Sequence, residues 1–175
     1  MMICPYCDHD NIEGSDACEQ CQQPLDDLSL PAPPTIVERS LVKDRINDLK
    51  PRDPLVVAPT TPVADVLRLL VDHAVGCAIV VETDEVVGIF SERDALLQLN
   101  TEAIELGDQP VSEFMTTNPQ TLQADAKIAF AVQRMDQGGY RHIPIVDAQG
   151  HATGIISVRD ILRYLAEKMT TPEPA

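Results

Sequence analysis

The sequence contains no tryptophan, and aromatic side chains make up only 3% of its 175 residues. That argues against a stacking platform for single-stranded nucleic acid. Basic residues are also missing where a nucleic-acid head would need them. Residues 1–38 hold eight acids (Asp8, Asp10, Glu13, Asp16, Glu19, Asp26, Asp27 and Glu38) and no Lys or Arg. Phosphate backbones are bound through cations, so this head repels them. The formal net charge of −15 is in keeping with a well-solvated acidic surface. Long apolar runs are absent too. The longest, over 74–81, is far too short to span a bilayer. No N-terminal stretch has the form of a secretory signal, which reads as a cytoplasmic protein with reduced thiols. There is no Gly-rich phosphate loop of Walker type and no supported Ser-His-Asp arrangement, so the chain does not read as an enzyme.

What is present is aliphatic. Apolar residues make up 44% of the chain, so its core must be built from Val, Ile, Leu and Ala. Three regions separate. Residues 1–23 are acidic and cysteine-rich. Residues 24–37 carry Pro24, Pro31, Pro33 and Pro34 and read as a semi-rigid linker. Residues 38–169 form a periodic apolar body, with a short tail over 170–175.

The body repeats itself. A shift of 65 carries Val63, Val66, Leu67 and Leu70 onto Ile128, Ala131, Val132 and Met135. Both sets are spaced i, i+3, i+4, i+7, the apolar stripe of an amphipathic helix. Thr61 with Pro62 is a cap and first-turn pair for the first helix, and Asp125 a cap for the second. The same shift carries Cys77–Glu82 onto His142–Asp147, two strand patterns. One extra residue enters near Gln149 and Gly150. The shift is then 66, and Gly88-Ile89-Phe90-Ser91-Glu92-Arg93-Asp94 meets Gly154-Ile155-Ile156-Ser157-Val158-Arg159-Asp160. A helix is predicted after each, over 92–106 and 158–168. Each unit therefore reads as extended piece, helix, strand, strand, helix. A unit of that size buries little alone, so two are expected to stack into one core.

In each copy the Ser hydroxyl and the Asp carboxylate fall where a strand gives way to a helix. The backbone N–H groups there lack intrahelical partners and favour an anion. A carboxylate at that place can also accept hydrogen bonds from vicinal hydroxyls. The same Ser-x-x-Asp spacing serves equally as a plain capping box.

The duplicated pattern resembles the CBS domain family over roughly 41–168, on the segments Arg141–Asp147 and Gly154–Asp160 and their first-copy counterparts. The resemblance implies an α+β fold: two CBS motifs of β-α-β-β-α type in a pseudo-symmetric pair, 38–106 and 107–169. It also implies an adenosyl ligand, with AMP, ADP or ATP foremost and S-adenosylmethionine or NAD left open. Asp94 and Asp160 become the ribose carboxylates, with Ser91 and Ser157 beside them and Arg93 and Arg159 in the motif. Tyr140, Arg141, His142, Ile143 and Pro144 would wall the second site, and Gly76, Cys77 and Ala78 the first. Arg141 and His142 stand where the first copy has Gly76 and Cys77, so the second site ranks first and Asp160 above Asp94. The family also implies a homodimer formed through helical faces.

Cys4-Pro5-Tyr6-Cys7 and Cys18-Glu19-Gln20-Cys21 lie ten residues apart. Two Cys-x-x-Cys pairs so close suit a tetrahedral Zn²⁺ held by Cys4, Cys7, Cys18 and Cys21. The arrangement resembles the short zinc ribbons of many microbial proteins, although Asp8 and Gln22 stand where such knuckles often have Gly. An iron site with the same ligands and a pair of disulfides are the alternatives. A four-thiolate zinc has no open position, so it would be structural and present a docking surface to an unidentified protein partner. Two readings compete with the ligand sensor: an assembly scaffold that binds no ligand, and a transcription-linked factor acting through the ribbon.

Overall fold

The computed structural model describes residues 2–4, 7, 9–12, 15–23, 25 and 35–170. Most of the linker read over 24–37, and the tail after Thr170, lie outside the described residues. The chain opens with a small antiparallel pair, β1 (Met2–Ile3) and β2 (Asp10–Asn11). Helix α1 (Ile36–Lys43) starts from a complete capping box. The Thr35 hydroxyl accepts from the Glu38 N–H at 3.2 Å, and a Glu38 carboxylate oxygen accepts from the Thr35 N–H at 3.1 Å.

The two copies follow. The first contains β3 (Val56–Val57), α2 (Val63–Asp72), β4 (Cys77–Glu82) and β5 (Glu85–Ser91). A helical stretch comes next: α3 (Glu92–Asp94), a wider π segment over Ala95–Leu99, a 3₁₀ turn over Asn100–Glu102, and α4 (Ala103–Leu106). The short strand β6 (Thr116–Thr117) leads into the second copy: β7 (Leu122–Gln123), α5 (Ile128–Gly138), β8 (His142–Val146), β9 (Ala152–Ser157) and α6 (Val158–Thr170). The mixed α+β fold is therefore the one that the resemblance implies.

The apolar stripes become the buried faces. Val63, Val66 and Leu70 of α2 are buried, as are Ile128, Ala131 and Met135 of α5. The helix expected over 92–106 is not uniform, and its winding changes three times. The π segment puts Leu99 in the core while Leu96 and Leu97 stay outside, and Asn100 and Thr101, poor helix formers, follow it.

One sheet runs β3-β4-β5-β6 and another β7-β8-β9. Strand β3 lies parallel to β4, with Val56 opposite Ile79, and β7 lies parallel to β8, with Leu122 opposite Ile145. The short segment ahead of each copy joins the other copy's sheet. Thr116 of β6 pairs with Ile89 of β5, and Arg52 bridges to Ile155 of β9.

The helix starts are exchanged in the same way. The Val63 N–H donates to the Gln109 carbonyl at 2.9 Å, and the Ile128 N–H donates to the Asp44 carbonyl at 3.0 Å. These pairs are related by the same shift of 65 that relates the copies. The expected caps give way to this exchange. Pro62 and Lys127 are the N-cap residues, neither makes a side-chain cap bond, and distant carbonyls satisfy the first N–H groups.

Spatial proximity groups the chain into two units. One comprises Met1–Lys50, Ala124–Tyr140 and Ser157–Ala175, and the other Pro51–Gln123 and Arg141–Ile156. In the first, α1 packs against α5 and α6. Asp44 accepts the Tyr164 hydroxyl at 2.9 Å and the Lys168 ammonium at 2.7 Å. Burial alone would raise the Asp44 pKa, but those two donors outweigh it and hold it below the usual carboxylate value. In the second unit, Phe90 is fully buried among Val57, Val63, Val66, Leu70, Ala78 and Val80.

Candidate ligand-binding site and metal centre

The four cysteines of the head converge. Their sulfurs all lie within 4.8 Å of one another, with Cys4–Cys21 and Cys7–Cys18 each 3.6 Å apart. A tetrahedron of thiolates at the usual Zn–S bond length has edges of about 3.8 Å. The set therefore fits one Zn²⁺. Its sulfurs are too far apart for disulfides, and none of the four cysteines is in one.

The backbone builds both knuckles. The Cys4 N–H donates to the His9 carbonyl at 2.9 Å, and the Cys18 N–H to that of Gln23 at 2.8 Å. Gln22 takes a left-handed backbone conformation (φ 59°), which accounts for Gly being common at that place. Asp8, the matching residue of the first knuckle, lies outside the described residues. Buried Asn11 ties the halves together: its carbonyl oxygen accepts from the Glu19 N–H at 3.0 Å, and its amide donates to the His9 carbonyl at 2.8 Å.

Burial works against ionisation of Cys18. Backbone N–H groups of Cys21 and Gln20, with the neighbouring thiols, outweigh it and bring the pKa to about 6. Cys7 and Cys21 are pushed up, first by burial. Leu25, 1% exposed, completes the small core formed with Cys4 and Cys18. Leu25 lies two residues beyond the cysteine-rich segment 1–23. A lone Leu beside a proline carries no periodic signal of this packing.

The two Ser-x-x-Asp sets close identically. In the first copy, Oδ2 of Asp94 accepts from the Ser91 N–H at 2.8 Å and from its hydroxyl at 2.6 Å. In the second, Oδ2 of Asp160 accepts from the Ser157 N–H and hydroxyl, each at 2.7 Å. Each carboxylate thus joins the end of a strand to the start of a helix. The copies differ in exposure: Asp160 and Ser157 are buried, whereas Asp94 and Ser91 are partly exposed. Arg93 and Arg159 are exposed.

Of the residues expected to wall the sites, Ala78, Ile143 and Pro144 turn their side chains into the core. They can meet a ligand only through backbone. Arg141 is exposed, while Tyr140 and His142 are partly so. The ring of His142, a second-copy residue, lies over Gly76 of the first copy. A Cβ on Gly76 would stand 2.9 Å from His142 Nε2, so glycine is what admits the ring. The Glu92 carboxylate borders the same place, and the Glu92 N–H donates to the Gly76 carbonyl at 3.0 Å. Cys77 beside it is 4% exposed. Burial, then the charges of Glu92 and Asp94, push its thiol up to about 12, so it is an inert packing group.

A duplicated α+β unit with exchanged leading segments, and one carboxylate–serine junction per copy, is the architecture of a CBS pair. Residues 46–100 and 111–167 each match the CBS domain. The chain belongs to the CBS domain family. It is similar to an uncharacterized 17.7 kDa protein in the bps2 3' region of Acidianus ambivalens, 32% identical over 116 residues, which are 66% of this chain and 69% of that one. Among solved structures, the CBS-domain containing protein ATU1752 from Agrobacterium tumefaciens is 29% identical with a TM-score of 0.63, covering 69% of this chain and 98% of its own. The CBS domain protein PAE2072 from Pyrobaculum aerophilum, complexed with AMP, is 27% identical with a TM-score of 0.61, covering 71% and 99%. Among the described residues, no helix is long and apolar enough to cross a membrane.

Proposed function

We propose that this chain is a cytoplasmic regulatory protein, not an enzyme, whose CBS pair binds an adenosyl ligand, with AMP, ADP or ATP as first candidates. The observation that carries this reading is the pair of identical serine–carboxylate junctions, in a fold shared with a relative that was solved with AMP. Asp94 and Asp160 mark the two candidate places for a ribose acceptor, with Ser91 and Ser157 as their neighbours and Arg93, Arg159, Arg141 and His142 as the groups offered to phosphate. Backbone at Gly76, Cys77 and Ala78, and at Tyr140, Ile143 and Pro144, meets the base. Ligand binding shifts the pair or its homodimer, and the zinc ribbon presents that state to a protein partner.

A thermal-shift series with AMP, ADP, ATP, S-adenosylmethionine and NAD tests the reading. A ligand present at 100 times its Kd stabilises the folded state by about 2.7 kcal/mol, a rise of several degrees. A flat response to all five would remove the sensor reading. It would favour an assembly scaffold, in which both junctions act only as the capping boxes that their geometry also satisfies.

A further inference from the structure

The two junctions share their cap and differ at the other carboxylate oxygen. In the second copy, Oδ1 of Asp160 faces the Arg163 guanidinium, with Nη1 at 3.4 Å, and the residue is 5% exposed. In the first copy, Leu97 occupies the place matching Arg163, 66 positions earlier. Leu97 is 70% exposed and offers no donor. Among the described residues, Oδ1 of Asp94 accepts no hydrogen bond, and Asp94 is partly open to solvent.

A hydroxyl that binds a carboxylate needs an oxygen with an uncommitted lone pair and room to approach. At Asp94 the cap uses Oδ2 and leaves Oδ1 for that purpose. At Asp160 an incoming hydroxyl must displace a guanidinium, and charge-assisted hydrogen bonds are the stronger kind. It must also reach a buried group. The first copy has a further wall in the same unit, the His142 ring held over Gly76.

We propose that the residue three positions after each aspartate decides which copy takes ligand. Leu97 leaves Asp94 able to accept ribose hydroxyls, whereas Arg163 holds Asp160 as a structural cap. This rests on the adenosyl reading above, and it reverses the order drawn from Arg141 and His142 in the sequence. Arg163 and Leu97 act through the aspartates and are positioning residues.

Exchanging the two residues tests it, with AMP as the probe and calorimetry on the full zinc-loaded chain as the readout. Wild type is expected to bind one equivalent. Leu97→Arg supplies Asp94 with the same ion pair and should weaken AMP at least tenfold, or about 1.4 kcal/mol, with an unchanged melting temperature. Arg163→Leu, at a side chain 61% exposed, should leave the wild-type event within about threefold. AMP binding that survives Leu97→Arg but is lost in Arg163→Leu would overturn the assignment, as would two equivalents bound with equal affinity; either result leaves the adenosyl reading standing. Wild type that binds no AMP, ADP, ATP, S-adenosylmethionine or NAD removes that reading, and this one with it.

Discussion

Replacing Leu25 by alanine should loosen zinc although Leu25 is not a ligand. The ribbon's buried apolar core among the described residues is Cys4, Cys18 and Leu25. Among the described residues, its sheet is a pair of two-residue strands. Such a segment folds on its metal, so the free energies of folding and of metal binding are one quantity. Burying a leucine side chain contributes about 2 kcal/mol. Structural zinc in small peptides contributes on the order of 10 kcal/mol, so the metal dominates and Leu25 supplies a measurable fraction. Losing about 2 kcal/mol corresponds to roughly a thirtyfold weaker zinc Kd. Competition against a chromophoric chelator at neutral pH reads that ratio directly, and wild type should hold one zinc per chain. Acid should release the metal in both proteins, because protons compete for the same thiolates. An unchanged zinc affinity in Leu25→Ala would refute the coupling. One equivalent of iron, with its visible absorbance, in place of zinc would refute the metal assignment.

Asp44→Asn should destabilise the folded chain by about 1–2 kcal/mol, because it removes the charge that receives Tyr164 and Lys168. Asp44 is held below its ordinary pKa, so its contribution is present at neutral pH and is lost as the pH falls below about 4; wild-type and variant melting curves should converge there. Phe90→Ala empties a fully buried site and should cost about 3–5 kcal/mol in denaturant unfolding. Iodoacetamide should leave Cys77 unmodified in the native protein at pH 8, as mass spectrometry would show, since burial and two nearby carboxylates keep it a thiol.

The repeat was legible because its signals are local. Stripes at helical spacing, strand runs and the paired Ser-x-Arg-Asp segments survive a shift of 65 or 66 residues and need no tertiary information. Cysteine spacing was legible for the same reason, since thiolate chemistry tolerates few other meanings for two close Cys-x-x-Cys pairs.

The exchange between copies was not legible. Thr61 looks like a cap, yet the first N–H of α2 is satisfied by Gln109, forty-six residues away. Asp125 looks like a cap, yet Asp44 supplies the carbonyl for α5. Those partners are backbone atoms, which leave no mark on side-chain identity. The place of the His142 ring was hidden for a related reason: its position over Gly76 depends on how two strands from different copies meet. The contrast between Leu97 and Arg163 stood in the sequence all along, but it acquires meaning only once the second oxygen of each aspartate is located.

Calorimetric titration of the zinc-loaded chain with AMP tests the central claim most directly. Saturable binding, with heat that vanishes when the adenosine moiety is replaced by ribose 5-phosphate, is the result expected of an adenosyl sensor. No heat from AMP or from any of the other adenosyl ligands, with an unshifted melting temperature at millimolar ligand, would contradict it.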